Sequence, residues 1–320
     1  KIRRHIVAIA PLAAFFAIAA GYRYFGEGLD YLSYLTVYND IRLEDTLDIV
    51  RFEPGFVLAA WVAKFWLGLD YAAFAAVLIT VSLLIKFQLF SQYRHPILTV
   101  LFYLCCWYPL HEYTQIRVAV ALSLGLLAAN FLFQGRLVAF AIVMSLATTF
   151  HASALILALA LPAAYVAARL RLPLVIGAIT ALAVGGAGLS ATVFAVAAQF
   201  NTLVDNYVTN LDGNTVNILS GANLLTAACL VSILFSRSLK TRQDVTFFIL
   251  VLLGLASAVA LQSAPVFSHR IKEMFLVFLV PLAFDTRLTK RALPQYATAT
   301  ALAAWSLYSA FSQGIIGSGT

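Results

Sequence analysis

Charge is the scarcest property of this sequence. Of its 320 residues, 11% are Asp, Glu, Lys or Arg, where a soluble chain carries roughly 25%. Acids are scarcer than bases, 14 against 21. Cysteine is nearly absent: Cys105, Cys106 and Cys229 all lie inside apolar runs, with no CxxC pair and no histidine at ligand spacing. That excludes a disulfide framework and a cysteine metal site, and reads the three as lipid-buried small side chains. Alternating polar and apolar residues are also missing, which argues against a β-barrel. No internal repeat is found, and the inner loops carry little besides basic residues.

What fills the sequence is hydrocarbon. Apolar residues make up 62%, and runs of 18–20 recur, each long enough to cross a ~30 Å hydrocarbon layer as a helix. The sequence predicts an all-α, polytopic integral membrane protein forming one transmembrane domain over 1–320. Spans are expected at about 5–22, 71–90, 97–110, 117–133, 137–150, 153–168, 173–190, 222–236, 245–262, 271–284 and 295–312. The first run is full length and lacks a clear small-residue cleavage site, so it reads as a span rather than a signal peptide. The segment 54–68, PGFVLAAWVAKFWLG, is short and interrupted by Lys64, and reads as a re-entrant or interfacial helix.

Charge asymmetry orients the spans. If 54–68 does not cross, 14 of the 21 basic residues fall on the N-terminal side, Lys86 among them in the 86–96 connection, with only Asp244 and Asp285 of the 14 acids. Basic residues resist translocation, so about eleven spans and a cytoplasmic N-terminus are expected. The net charge of +7 then reflects topology and contact with anionic membrane lipid, not nucleic acid.

The polar residues that remain gather on the outer side, near 23–70, 111–117, 199–221 and 262–272. The first stretch offers Asp30, Tyr34 and Tyr38 to a substrate. The second offers His111, Glu112 and Gln115, and the fourth His269. Tyr31, Tyr34 and Tyr38 form one stripe, suited to a sugar face or to the aromatic belt of the membrane interface. Arg117 and Arg270 each open an apolar helix at the outer end. A guanidinium at membrane depth costs ~3 kcal/mol or more, and is tolerated where it faces water or an anion. Two such forks can share a phosphate group; the alternative is local pairing, Arg270 with Glu273 and Arg117 with Tyr113 or Glu112. Glu53, His151 and Asp40 are the candidate proton acceptors. Glu53, just before Pro54, also fits a helix-capping acid, and His151 a polar residue satisfied between helices. No metal-ligand cluster and no cofactor motif is present.

Four stretches occur in order: GEGLDYLSY at 26–34, EPGF at 53–56, TQIRVAVALSL at 114–124 and FHASAL at 150–155. Together they resemble the EpsG-like family of Wzy-type O-antigen and exopolysaccharide polymerases. Gly28, Asp30 and Tyr34 fall on its first motif and Glu53, Pro54 and Gly55 on its second. Gln115, Ile116 and Arg117 fall on the third, and Phe150, His151, Ser153 and Ala154 on the fourth. Val118 stands where the family usually has Gln, and one helix before the Gly-Asp loop is lacking. The resemblance implies a GT-C-like membrane glycosyltransferase, metal-independent and inverting. Its substrate would be an oligosaccharide on undecaprenyl diphosphate, at the outer face of a bacterial inner (plasma) membrane, with a chain-length regulator as a candidate partner. Arg117 and Arg270 would hold the diphosphate, and Glu53 or His151, with Asp40 third, would take the proton. A lipid-linked glycan ligase and a polysaccharide-lipid flippase are the alternatives.

Overall fold

The computed structural model describes residues 2–24, 30–42, 52–200, 217–313 and 315. Gly28, the acidic stretch 43–51 and most of the expected outer loop 199–221 lie outside the described residues. Within them the chain is all helical: α1 (Ile2–Gly21), α2 (Tyr31–Asp40), α3 (Pro54–Phe65), α4 (Tyr71–Phe90), α5 (Pro96–Cys106), α6 (Ile116–Phe133), α7 (Leu137–Phe150), α8 (Ala154–Ala167), α9 (Leu172–Phe200), α10 (Gly221–Ser236), α11 (Arg242–Ala260), α12 (Pro265–Leu276), α13 (Leu279–Ala283) and α14 (Leu293–Ser312). Among the described residues, four segments are long and apolar enough to cross a membrane: α4, α6, Leu172–Ser190 of α9, and α11.

Most helices fall where hydrophobic runs place them, and the departures have local causes. The expected span 97–110 stops at Cys106, and 11 residues at 1.5 Å each reach only about 16 Å. Beyond it, 107–115 winds through successive turns, with His111 N–H donating to Trp107 O (2.7 Å) and Gln115 N–H to His111 O (2.9 Å). The segment near 54–68 is a 12-residue helix, about 18 Å long and short of a bilayer crossing. The expected span 271–284 is broken at 277–278 into α12 and the five-residue α13. Helix α2 was not expected, because its ten residues YLSYLTVYND mix polar and aromatic side chains without an apolar period. Lys86, expected in a basic connection, lies inside α4 and is fully buried.

The helices group into two compact units, Lys1–Ala158 with Ala303–Thr320, and Leu159–Leu302. In the first, α1 packs along α4, α4 along α6, and α6 along α7. Small residues permit the close approach. A Cβ on Gly21 would lie 2.7 Å from Ala72 O, and one on Gly125 would lie 2.6 Å from a Leu157 methyl. Around α2 and α3 an aromatic cluster forms. Tyr34 meets Phe52 and Phe56 (both 5.4 Å between ring centroids), and Tyr38 stacks on Phe74 (5.3 Å). Lys64 Nζ caps the end of α2, donating to the carbonyls of Tyr38, Asn39 and Ile41 at 2.8–3.0 Å.

In the second unit α11 packs against α9 and α12. The C-terminal end of the short α13 leaves carbonyls without helical partners. Gln295 supplies them, its Nε2 donating to Leu282 O (2.8 Å) and Ala283 O (3.1 Å) while its Oε1 accepts from Ser236 and Ser238. Thr241 and Asp244 form a capping box at the start of α11, which holds one of the few acids on that side of the charge pattern.

Candidate active site

Three segments of the first unit converge on one carboxylate. Glu53 is extended (φ −66°, ψ 144°), as a residue before proline must be, and Pro54 then starts α3. Gly55 follows, and a Cβ there would stand 2.7 Å from Thr149 O. Only glycine therefore lets the start of α3 lie against the end of α7. That contact carries Glu53 to the residues just past α7. His151, the C-cap of α7, is itself extended, and its Nδ1 lies 3.0 Å from Glu53 Oε1. The Ala152 N–H donates to the same oxygen at 3.1 Å. The ring of His151 is turned so that neither of its buried nitrogens makes an aligned hydrogen bond.

The other oxygen, Glu53 Oε2, is bound by Arg117 Nη1. Arg117 is the second residue of α6. Its Nε donates to the Tyr34 hydroxyl at 3.4 Å, and its guanidinium lies 3.9 Å from the Phe52 ring centre. The aromatic faces shield the cation on one side. The Arg117 and Glu53 side chains remain 17% and 19% exposed. A cation, a carboxylate and an imidazole thus share one partly open cleft. Burial raises the Glu53 pKa, but His151, Arg117 and the Ala152 N–H together outweigh it and bring the carboxyl to about 2.

The remaining expected residues are distributed differently. Tyr38 is buried and its hydroxyl donates to Leu69 O (2.7 Å), so it braces the α3–α4 turn. Asp40 ends α2, exposed and outside the Glu53 cluster. Asp30 and Gln115 stand at the N-caps of α2 and α6, without side-chain capping bonds. His111 and Glu112 are fully buried. His269 and Arg270 are exposed on α12, in the second unit.

Glu112 has a partner that the sequence reading missed. Its Oε1 meets Lys86 Nζ at 2.5 Å, with both side chains fully buried. Tyr103 donates to Glu112 Oε2 (2.5 Å), and Lys86 and Ser82 both donate to Ala119 O (3.0 Å). This knot ties α4, α5 and the 107–115 turns to the first turns of α6, two residues past Arg117. The available signal was a lysine and a glutamate set in neighbouring apolar runs, since ionisable groups at membrane depth pair with one another.

Among the described residues, no group of three or more His, Cys, Asp and Glu side chains is placed to hold a metal ion. The site therefore offers one fixed cation for an anionic group, and an imidazole backed by a carboxylate for a proton. The sequence model of the EpsG family matches residues 7–312, nearly the whole chain. No curated protein and no solved structure matches it.

Proposed function

The chain belongs to the EpsG family, polysaccharide polymerase-type membrane proteins with glycosyltransferase-like activity, and from that membership we propose how it joins glycans. The substrate is an oligosaccharide repeat unit on undecaprenyl diphosphate, at the outer face of a bacterial inner membrane. The chain crosses that membrane about eleven times in a GT-C-like arrangement, with its N-terminus in the cytoplasm. A hydroxyl at the non-reducing end of one lipid-linked unit attacks the anomeric carbon of the growing chain. The new glycosidic C–O bond forms as the bond from C1 to the diphosphate oxygen breaks. The lipid diphosphate leaves with the electron pair, and configuration inverts.

The observation that carries this reading is the sharing of Glu53 between Arg117 and His151. A diphosphate needs charge neutralisation more than protonation, and Arg117 supplies it through a planar fork. Arg270 is a second candidate for that role. The attacking hydroxyl needs a base. A carboxyl held at about 2 is a weak proton acceptor, so the base in this proposal is His151 Nε2. Glu53 takes the role of orienting carboxylate, holding Nδ1 so that the lone pair falls on Nε2. Catalytic hydrogen bonds are often misaligned before substrate binds, which fits the turned ring. No step calls for a metal.

The test is reconstitution of the full chain in liposomes with undecaprenyl-diphosphate-linked oligosaccharide. A ladder of lengthening glycans is expected with or without chelator. Arg117→Ala should reduce the rate by about 10²-fold or more while the protein still inserts. Wild-type chain lengths from that variant would reject the diphosphate role of Arg117. A single transfer without a ladder would favour a ligase.

A further inference from the structure

Arg23 follows α1 in the left-handed region (φ 57°), where glycine is favoured. The helix end explains the backbone: Tyr24 N–H donates to Ala19 O (3.1 Å) and Arg23 N–H to Ala20 O (3.3 Å), the bonding of a Schellman cap. A glycine would serve that cap with less strain, so the cap alone gives no reason for an arginine. The side chain is held between two rings, its guanidinium 4.8 Å from the centre of Tyr31 and 5.1 Å from that of Tyr113. Its Nη1 donates to Tyr113 O. The other edge, Nε and Nη2, is buried without an aligned hydrogen bond, and so is the hydroxyl of Tyr71, which lies beside Arg23. Tyr71 is 4% exposed and its ring packs on Tyr31 at 5.5 Å, so the two unsatisfied groups flank the same tyrosine.

Buried donors are rarely left unpaired, and a charged one least of all. Nε and Nη2 form the side-on fork that binds two oxygens of one oxyanion in parallel. Unlike Arg117, Arg23 has no carboxylate partner among the described residues. Helix α2 links the two arginines: Arg23 packs on Tyr31 and Arg117 on Tyr34, three residues apart and so on one face of the helix. We propose that Arg23 and Tyr71 form a second oxyanion site beside the Arg117 site, taking a phosphate group through the open guanidinium fork and the tyrosine hydroxyl. That the natural ligand is the substrate's diphosphate rests on the polymerase reading; the oxyanion site itself does not.

The test is calorimetric titration of the full chain in detergent with inorganic pyrophosphate. Arg23→Gln should weaken binding roughly 10-fold or more, and Tyr71→Phe, which keeps the ring and its packing, by about 3-fold or more. Tyr71→Phe carries the test if Arg23→Gln fails to fold. Wild-type affinity in both variants, with Arg117→Gln weakened, overturns the second site and leaves the polymerase reading intact. Weakening by Arg23→Gln with Arg117→Gln unchanged supports the second site and removes Arg117 from the reading. No pyrophosphate binding by the wild type overturns the site. Repeating the titration in nanodiscs of phosphatidylglycerol and of phosphatidylcholine separates the sources. A loss of affinity in phosphatidylglycerol that Arg23→Gln abolishes supports the site with a lipid headgroup as its ligand. Equal affinity in both lipids supports it with the substrate's diphosphate.

Discussion

Glu53 Oε1 stands 3.0 Å from His151 Nδ1, while the opposite oxygen of the same carboxylate engages Arg117. The two partners ask different things of Glu53, and substitution separates them. With His151 as the base, His151→Asn should lower kcat by about 10²–10⁴-fold with little change in KM. Glu53→Gln keeps the shape of the side chain and loses the charge that orients the ring, so its loss should be the smaller of the two. Initial rates of glycan transfer over a range of lipid-linked substrate check this order. A larger loss from Glu53→Gln than from His151→Asn would return the base to Glu53.

The depressed Glu53 carboxyl makes stability depend on pH in one direction. Its folded pKa of about 2 lies below the ordinary 4.5, so the unfolded chain binds that proton first. The contribution, on the order of 3 kcal/mol, is fully present above about pH 4.5 and is lost as pH falls toward 2. Thermal unfolding in detergent between pH 6 and pH 2.5 should show the gap between wild type and Glu53→Gln narrowing as acid is added. A constant gap would show that Glu53 titrates normally.

Gly55 sets the approach of α3 to α7. Its added Cβ in Gly55→Ala would meet backbone, 2.7 Å from Thr149 O, so a side-chain rotation cannot relieve it. We expect a stability loss of about 1–3 kcal/mol. Displacement of Glu53 from His151 by even ~1 Å should cost up to 10²-fold in transfer rate. Unfolding and rate measurements on the same preparation check both. An unaltered rate would show that the α3–α7 contact does not position the carboxylate.

The Lys86–Glu112 pair is fully buried at 2.5 Å. Lys86→Met alone strands a carboxylate and should destabilise by about 3–5 kcal/mol, whereas the double variant Lys86→Met/Glu112→Met should cost less than either single change. A double-mutant cycle in detergent measures this coupling. Additive losses would mean that the two charges do not support each other.

The fold was legible wherever a helix is simply apolar. Runs such as YAAFAAVLITVSLLIKFQLF and IRVAVALSLGLLAANFLF gave α4 and α6 nearly to the residue, because length and hydropathy decide such helices. It was less legible where tertiary packing decides. Helix α2 needs Lys64 at its end and Tyr71 and Phe74 at its side, none of them nearby in sequence. The same holds for the site. A glutamate before Pro-Gly, an arginine opening a helix and a histidine closing one each stood out as candidates. Their meeting depends on Gly55 against Thr149, a contact no spacing encodes. Lys86 was misread for a related reason: a lone lysine near the end of an apolar run looks like a loop cation until its counter-charge, 26 positions later, is brought alongside.

That pairing bears on how the chain is made. As the ribosome delivers α4 to the bilayer, its ammonium lacks its native partner, since Glu112 has yet to be synthesised. The 71–133 stretch therefore completes its buried charge pairing only as a set. A truncation between residues 90 and 112 would leave α4 with an orphaned cation at the position where the full chain buries an ion pair.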